Sequence, residues 1–409
     1  MWWLACTLGP QPGPSPDHQL VVDVDCPNDT PDADVWVDSV EELLEASGRI
    51  GLNPGRYVVD YTLQDGDQLV GACAEYSELV GELSVLDGTI EHLTLVGQGS
   101  VQGPLVATDV VFDCGEGCLH VDGPTELERV RFTSYESLAV WATAPLQVRE
   151  SVFEGPLYDY GGAVWGDVGA EILLEDVEFA EPFDGTALYV NEPDASIVAR
   201  RITVPEMNGD YAWVTSPAWG TIRIEDSSWS GARLAIWDGA SLELERVEIL
   251  DVDDGAIFAM GNDGDLATLR ATDTTVQGPL FWMTVEADVY GETIQAESAD
   301  GWYSDMACTS CSFTEGVTWS NGVLELRDST LSGDVDALVA EDAEVLVSGS
   351  TLTAGRIGAL LDGSTGDLRG NTWSTGEFDV VWQRCDGVEE PLLDEELAVD
   401  LCPETDWVY

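Results

Sequence analysis

The side chains able to do chemistry in this sequence are aspartates and aromatic rings. Asp159, Asp184, Asp210, Asp253, Asp254 and Asp300 each fall shortly before one of a series of short apolar segments, and Asp167 and Asp238 follow two of them. Paired carboxylates on neighbouring segments suit glycoside hydrolysis, one as acid and the other as base or nucleophile, at separations of about 5–9.5 Å. This makes Asp159, Asp184, Asp210, Asp253 and Asp254 the catalytic candidates. The same pairs could hold Ca²⁺; no cofactor is otherwise required. The apolar segments carry a second set: Trp141, Trp165, Tyr189, Trp213, Trp237, Phe258, Trp282 and Tyr303, at spacings of 24, 24, 24, 24, 21, 24 and 21. An aromatic ring packs on the C–H face of a sugar while its Nε1 or OH stays free to hydrogen-bond. These eight are the ligand-binding candidates, and cleavage of a polysaccharide competes with its recognition.

Other chemistries find little support. The histidines are His18, His92 and His120. A serine triad would need His92 or His120, and both fall at repeat positions. There is no Gly-x-Ser-x-Gly elbow, P-loop or dinucleotide fingerprint. Asp251-Val-Asp253-Asp254-Gly255 departs from a calcium loop, with its glycine one position early and no glutamate at the closing position.

Composition narrows the partners. The 409 residues include 78 Asp+Glu against 15 cations, all arginine, for a net charge of −63. Such a field repels nucleic acid and anionic membrane surfaces. With 15 Trp, 11 Tyr and 9 Phe the chain has the aromatics of a folded protein rather than of a disordered acidic tail. It has no apolar run long enough for a transmembrane helix.

The elements that position these groups repeat. A six-residue pattern, apolar-x-x-small/apolar-x-apolar, recurs fourteen times, from Ile90-Glu-His-Leu-Thr-Leu95 to 368–373. Its fourth residues run from Leu93 to Asn371, 278 residues over 13 steps, a period of about 21. Apolar alternation runs into each copy, as in Ile222-Arg-Ile224 and Leu242-Glu-Leu244, breaks for two polar residues and resumes. That is two short strands joined by a tight corner. A third strand carries the aromatics, as in Ala139-Val-Trp141 and Ala163-Val-Trp165. Three short strands per coil of this length describe a parallel β-helix, which buries its interior only by stacking coil on coil. Neighbours in a strand face opposite ways, so one column points in and the other out. The preceding residues Val140, Val164, Leu188, Ala212, Ile236, Ile257, Phe281 and Trp302 are mostly aliphatic and suit a narrow interior, which sends the aromatic column outward, either bare or covered by the longer loops at 154–162 and 205–210. Stacked corners should mostly alternate in charge, through Asp109, Arg129, Glu150, Asp176, Arg201, Asp226, Arg246 and Asp273 at one position and Glu128, Arg149, Glu175, Arg200 and Glu225 at the other. Arg129, Arg149, Arg200, Arg201 and Arg246 then read as structural.

The opening of the repeat carries a resemblance. Ser39-Val-Glu-Glu-Leu-Leu-Glu-Ala46 reads as a short helix with a capping-box Ser and Glu. Ile50-Gly-Leu52-Asn-Pro-Gly-Arg-Tyr57, Gln68-Leu-Val-Gly71 and Thr89-Ile90 follow. This resembles the opening of pectin-lyase-like right-handed parallel β-helix proteins. The resemblance implies an all-β solenoid of about 14 or more coils with an N-terminal cap helix, and a substrate groove on the sheet that carries the aromatics. It implies little about activity, because that fold hosts lyases, hydrolases, esterases, adhesins and scaffolds. The Asp-Asp and later Gly-His-Gly of polygalacturonase-type members is met only in Asp253-Asp254. Lyases of the fold use Arg or Lys as base, and here the central arginines look committed.

Leu4-Ala5-Cys6 resembles the end of a bacterial lipoprotein signal peptide, in which the cysteine is acylated, although no basic residue precedes it. The layout expected is a signal at 1–6, a Pro-rich tether at 7–34, the β-helix at 35–385 and a C-terminal cap at 386–409. The chain would be exported, to the cell envelope or the extracellular space, with an outer-membrane lipoprotein the favoured form and an anchor the only membrane contact. Eight further cysteines suit disulfides in such a compartment: Cys26–Cys73, Cys114–Cys118, Cys308–Cys311 and Cys385–Cys402 is the compact pairing. Cys308-x-x-Cys311 as half of a zinc site lacks a second pair nearby, so no metal is expected there. Three functions stay open: a surface protein binding a polysaccharide or cell-surface component, a polysaccharide-degrading enzyme using paired Asp residues, and an inert scaffold. Oligomeric state is unassigned.

Overall fold

The computed structural model describes residues 31–64, 66–115, 117–155, 161–180, 185–204, 213–262, 264–383, 391–393 and 398–400. They form an all-β parallel solenoid of about 15 turns, near 21 residues each. The strands pair in parallel from coil to coil, as in Val111↔Arg131 and Thr330↔Thr351. The one helix, Val40–Glu45, sits at the N-terminal end. Ser39 Oγ accepts from Glu42 N (3.2 Å), and the Glu42 carboxylate takes Asp38 N (2.8 Å). The strand Ala398–Asp400 pairs with Phe378–Gln383 and so extends the sheet into the segment read as a cap.

The two-residue corner has a specific backbone. His92, Asp109, Arg129, Glu150, Asp176, Arg201, Asp226, Arg246 and Asp273 all have φ between 47° and 56°. The left-handed conformation turns the chain within one residue, which lets two short strands meet at an angle. The next residue points inward, where serine is useful. Ser227 Oγ accepts from Ile202 N of the preceding coil (3.1 Å) and donates to Glu225 O (2.7 Å). Ser151, Ser304, Ser329, Ser350 and Ser364 repeat this bridge, and Asn371 does so through its amide. Ser151, Ser227, Ser329, Ser350 and Asn371 fill the fourth place of the six-residue pattern, so the small residues there are hydrogen-bonding parts of a buried seam, and Ser304 and Ser364 do the same at the corner after the third strand.

The core is layered along the axis. Phe112, Phe132, Phe153 and Phe179 stack at 4.9, 4.7 and 5.4 Å between ring centroids. Trp319 is fully buried and lies over Gly301 of the preceding coil, where an added Cβ would stand 2.3 Å from its ring.

Outside, most of the described arginines are ion-paired, and Arg270 instead lies over the Tyr290 ring. Arg129 grips Asp109 with both Nε and Nη2 (2.8 and 3.1 Å), and Arg201 grips Asp176 the same way (2.7 and 2.8 Å). Arg246 pairs with Asp226, Arg149 with Glu175, and Arg200 with Glu225 and Glu175. Cys114–Cys118 and Cys308–Cys311 are disulfides, which removes the half zinc site. Cys73 is also disulfide-bonded. Cys6, Cys26, Cys385 and Cys402 lie outside the described residues.

Candidate functional site

Four strands on consecutive coils, Gly117–Val121, Leu138–Ala142, Gly161–Gly166 and Gly185–Val190, build the candidate surface. Leu119 and Val140 pair, then Val164 and Leu188, and all four point inward and are buried. Alternation sends the next residue out. Hydrogen-bond register then aligns His120, Trp141, Trp165 and Tyr189 as a column. The His120 and Trp141 rings stack at 4.8 Å, and Trp165 meets Tyr189 edge-on at 4.4 Å. Trp141 is 41% exposed; Trp165 and Tyr189 are half-buried.

Two residues on, alternation returns to the same face and places a polar column beside the rings: Asp122, Thr143, Asp167 and Asn191. Thr143 N donates to Val121 O, Asp167 N to Ala142 O and Asn191 N to Gly166 O, so the coil-to-coil ladder holds this column too. The two columns are cross-linked. Trp141 Nε1 donates to Asp167 Oδ2 (3.2 Å) and Tyr189 OH to Asn191 Oδ1 (3.2 Å), and within the polar column Thr143 Oγ1 donates to Asp122 Oδ1 (2.7 Å). His120 Nε2 lies 3.3 Å from Asp122 Oδ1. Trp165 Nε1 is buried and makes no hydrogen bond among the described residues. Burial raises the Tyr189 hydroxyl's pKa, with Asp167 adding to the shift. At the N-terminal end an open cleft of about 290 Å³ is bounded by Gln98, Cys118, His120, Ser137, Leu138 and Trp141.

The eight-rung column expected from spacing does not hold as one column. Trp213 pairs with Thr186, and Leu188 with Thr215, so Trp213 stands out of line with Tyr189. A register shift lies between Trp213 and Thr215, and another between Ile257 and Phe258. Trp237 pairs with Met260, which pairs with Val285, which pairs with Trp302. Phe258, expected outside, is only 5% exposed, with Trp237 4.5 Å and Trp213 6.2 Å from its ring. Trp302, expected inside, is 56% exposed and stacks on the exposed Tyr303. The physical reason is that spacing counts residues, whereas register counts hydrogen bonds, and a bulge changes one without the other. Trp282 lies in the strand Phe281–Val285; its side chain is outside the described set.

Of the catalytic candidates, Asp159, Asp184 and Asp210 lie outside the described residues. Asp253 and Asp254 are exposed, and Asp254 is ion-paired to Arg233 at 3.1 Å. His92 sits on a left-handed corner with Nδ1 3.6 Å from Asp109 Oδ2. Among the described residues no group of three or more His, Cys, Asp or Glu side chains is placed to hold a metal ion. The residues that spacing missed are His120, Asp122, Thr143 and Asn191. The signal that could have found them is the period of two: each stands in register with, or two residues beyond, an aromatic already singled out.

No family model matches the chain, and no curated protein matches it. Among solved structures it is similar to the catalytic unit of a thermostable GH87 α-1,3-glucanase from Streptomyces thermodiastaticus. Identity is 13%, with 90% of this chain and 66% of that one covered and a TM-score of 0.29. This chain therefore spans just under two thirds of that unit's length. The catalytic domain of a GH87 α-1,3-glucanase variant in complex with tetrasaccharides matches at 11% identity, over 92% and 69% of the two chains, with a TM-score of 0.33. The A-module of a mannuronan C-5 epimerase from Azotobacter vinelandii matches at 14%, over 87% and 93%, with a TM-score of 0.30. At these scores the similarities carry no argument about activity.

Proposed function

We propose that this is an exported, surface-anchored β-helix protein that binds a glycan along the His120–Trp141–Trp165–Tyr189 column. One observation carries the reading: four aromatic rings on four consecutive coils run beside four hydrogen-bonding side chains on the same sheet. Rings offer flat apolar contact to the C–H faces of sugars. The carboxylates, hydroxyl and amide beside them offer partners for sugar hydroxyls at a regular rise of about 4.8 Å per coil. A polymer has the same periodic character, so it can lie along the axis and repeat one contact per coil. Anchoring through Cys6 at the cell envelope belongs to the same proposal, with the 7–34 segment as tether.

The test is a polysaccharide panel offered to the purified chain with and without Ca²⁺, reading tryptophan fluorescence and release of reducing ends or unsaturated products together. Binding is expected to change the fluorescence without product, and Trp165→Ala should abolish the change. Product release would contradict non-catalytic binding and move the reading to the carboxylates beside these strands. Silence in both channels would leave a scaffold.

A further inference from the structure

We infer that the ligand of this surface is a glycan bearing free ammonium groups, a de-N-acetylated amino-sugar polymer, rather than a neutral or acidic one. The inference rests on the glycan reading above and adds the charge of the ligand. The polar column supplies two carboxylates, Asp122 and Asp167, on the sheet face that carries the rings. Among the described residues neither is paired with an arginine. The four strands, and the three residues that follow each, contain no arginine and no lysine, although 15 arginines occur in the chain. At the corners several stacked acids face an arginine, as Asp176 faces Arg201 and Asp226 faces Arg246. The aromatic face is thus acidic without the cations that balance the corners.

The carboxylates also keep acceptor capacity. Each has about four lone-pair sites. Asp167 accepts from Trp141 Nε1 and, through Oδ1, from Val168 N (2.9 Å). Asp122 accepts from Thr143 Oγ1 and lies beside His120, all at Oδ1, so its Oδ2 is unengaged among the described residues. An ammonium group donates three hydrogen bonds and accepts none. Against Asp122 or Asp167 it forms charge-assisted bonds while the adjacent indole face attracts the same charge. A uronate or sulfated polymer would meet two carboxylates and a net charge of −63, and is repelled. The open cleft against His120 and Trp141 gives a terminal sugar room at the N-terminal end of the column.

The experiment compares two oligosaccharides differing only in acetylation: a glucosamine oligomer and its fully N-acetylated form. Long-range attraction to a polyanionic protein would mimic the effect, so titrations run in about 1 M NaCl, where the screening length is near 3 Å. The free-amine oligomer is expected to bind about five- to tenfold more tightly than the acetylated one. Asp122→Asn and Asp167→Asn should each erase most of that difference, by weakening the free-amine oligomer's binding more than the acetylated one's. Asp328→Asn, which removes a charge from a corner remote in sequence, should change nothing. Equal affinity for the two oligomers, or an Asp328→Asn effect as large as that of Asp167→Asn, overturns the inference and leaves glycan binding standing. Binding of neither oligomer, with a glycan panel also silent, overturns the glycan reading itself. Both Asn substitutions are nearly isosteric, and an unchanged thermal transition confirms that the folded chain is being compared.

Discussion

At the scale of single residues, the solenoid assigns different work to similar side chains. Trp141 and Trp319 are both tryptophans on strands, yet one is 41% exposed beside a carboxylate and the other fills space over Gly301. Substituting them should separate binding from stability. Trp165→Ala is expected to weaken glycan binding at least about tenfold, near 1.4 kcal/mol, with a small change in thermal stability; calorimetric titration and a melt read the two effects. Gly301→Ala should do the reverse, destabilising by about 1–3 kcal/mol because the new methyl has no room, with no change in affinity. The buried serines give a third case. Ser227→Ala leaves Ile202 N without its partner and should cost about 1–3 kcal/mol in denaturant unfolding. From sequence, Ser151 and Ser227 were visible only as small residues in the fourth repeat position. Their donor and acceptor roles depend on the neighbouring coil, which a period cannot show.

At the scale of the element, the corner decides the architecture. Its second residue is left-handed in coil after coil, and an ordinary side chain there costs roughly 1–2 kcal/mol. Asparagine tolerates that region better than glutamate. Glu150 is exposed and makes no ion pair among the described residues, so Glu150→Asn should stabilise the chain by up to about 1 kcal/mol. Arg201→Asn relieves the same backbone but breaks the two-pronged grip on Asp176, so its gain should be smaller or absent; parallel melts of the two variants check the contrast. The ion pairs also set a pH dependence. Hydrogen bonds from Arg201 hold the Asp176 carboxyl below its usual range, and those from Arg246 do the same for Asp226 and Glu245. A depressed carboxylate contributes stability above its unfolded pKa and loses it as pH falls through the lower folded value. The corner contribution should therefore be intact at pH 7 and begin to be lost below about pH 4, as a fall in melting temperature as the pH drops further. The corner and its charge alternation were legible in the sequence because both are local and repeat. The aromatic register was not, because the shifts at 213–215 and 257–258 are set by hydrogen bonds between coils.

At the scale of the molecule, a parallel stack of coils turns local repetition into long columns, of phenylalanine inside, of salt bridges at the corner and of aromatics on one face. Parallel β-helix architecture could be read from the period of about 21 and the alternation within it, since those are what stacking requires. The extent of the aromatic face could not, since the register shifts at 213–215 and 257–258 end it. Net charge is also a property of the whole. With −63 on 409 residues, self-repulsion opposes compaction, and the exposed arginine pairs offset only part of it. Added NaCl should raise the midpoint of thermal unfolding overall, even while it weakens individual pairs, and a salt series of melts at neutral pH reads the sign.

The central claim is that a glycan lies on the His120–Tyr189 column, and the most direct measurement is oxidative footprinting of tryptophan and tyrosine with and without an oligosaccharide that binds in the panel. The account predicts that Trp141 and Trp165 lose reactivity together on binding, while Trp302 and Tyr303, both more than half exposed and outside the column, keep theirs as an internal reference. Unchanged labelling of Trp141 and Trp165 in the saturated chain, or protection confined to Trp302 and Tyr303, would contradict it.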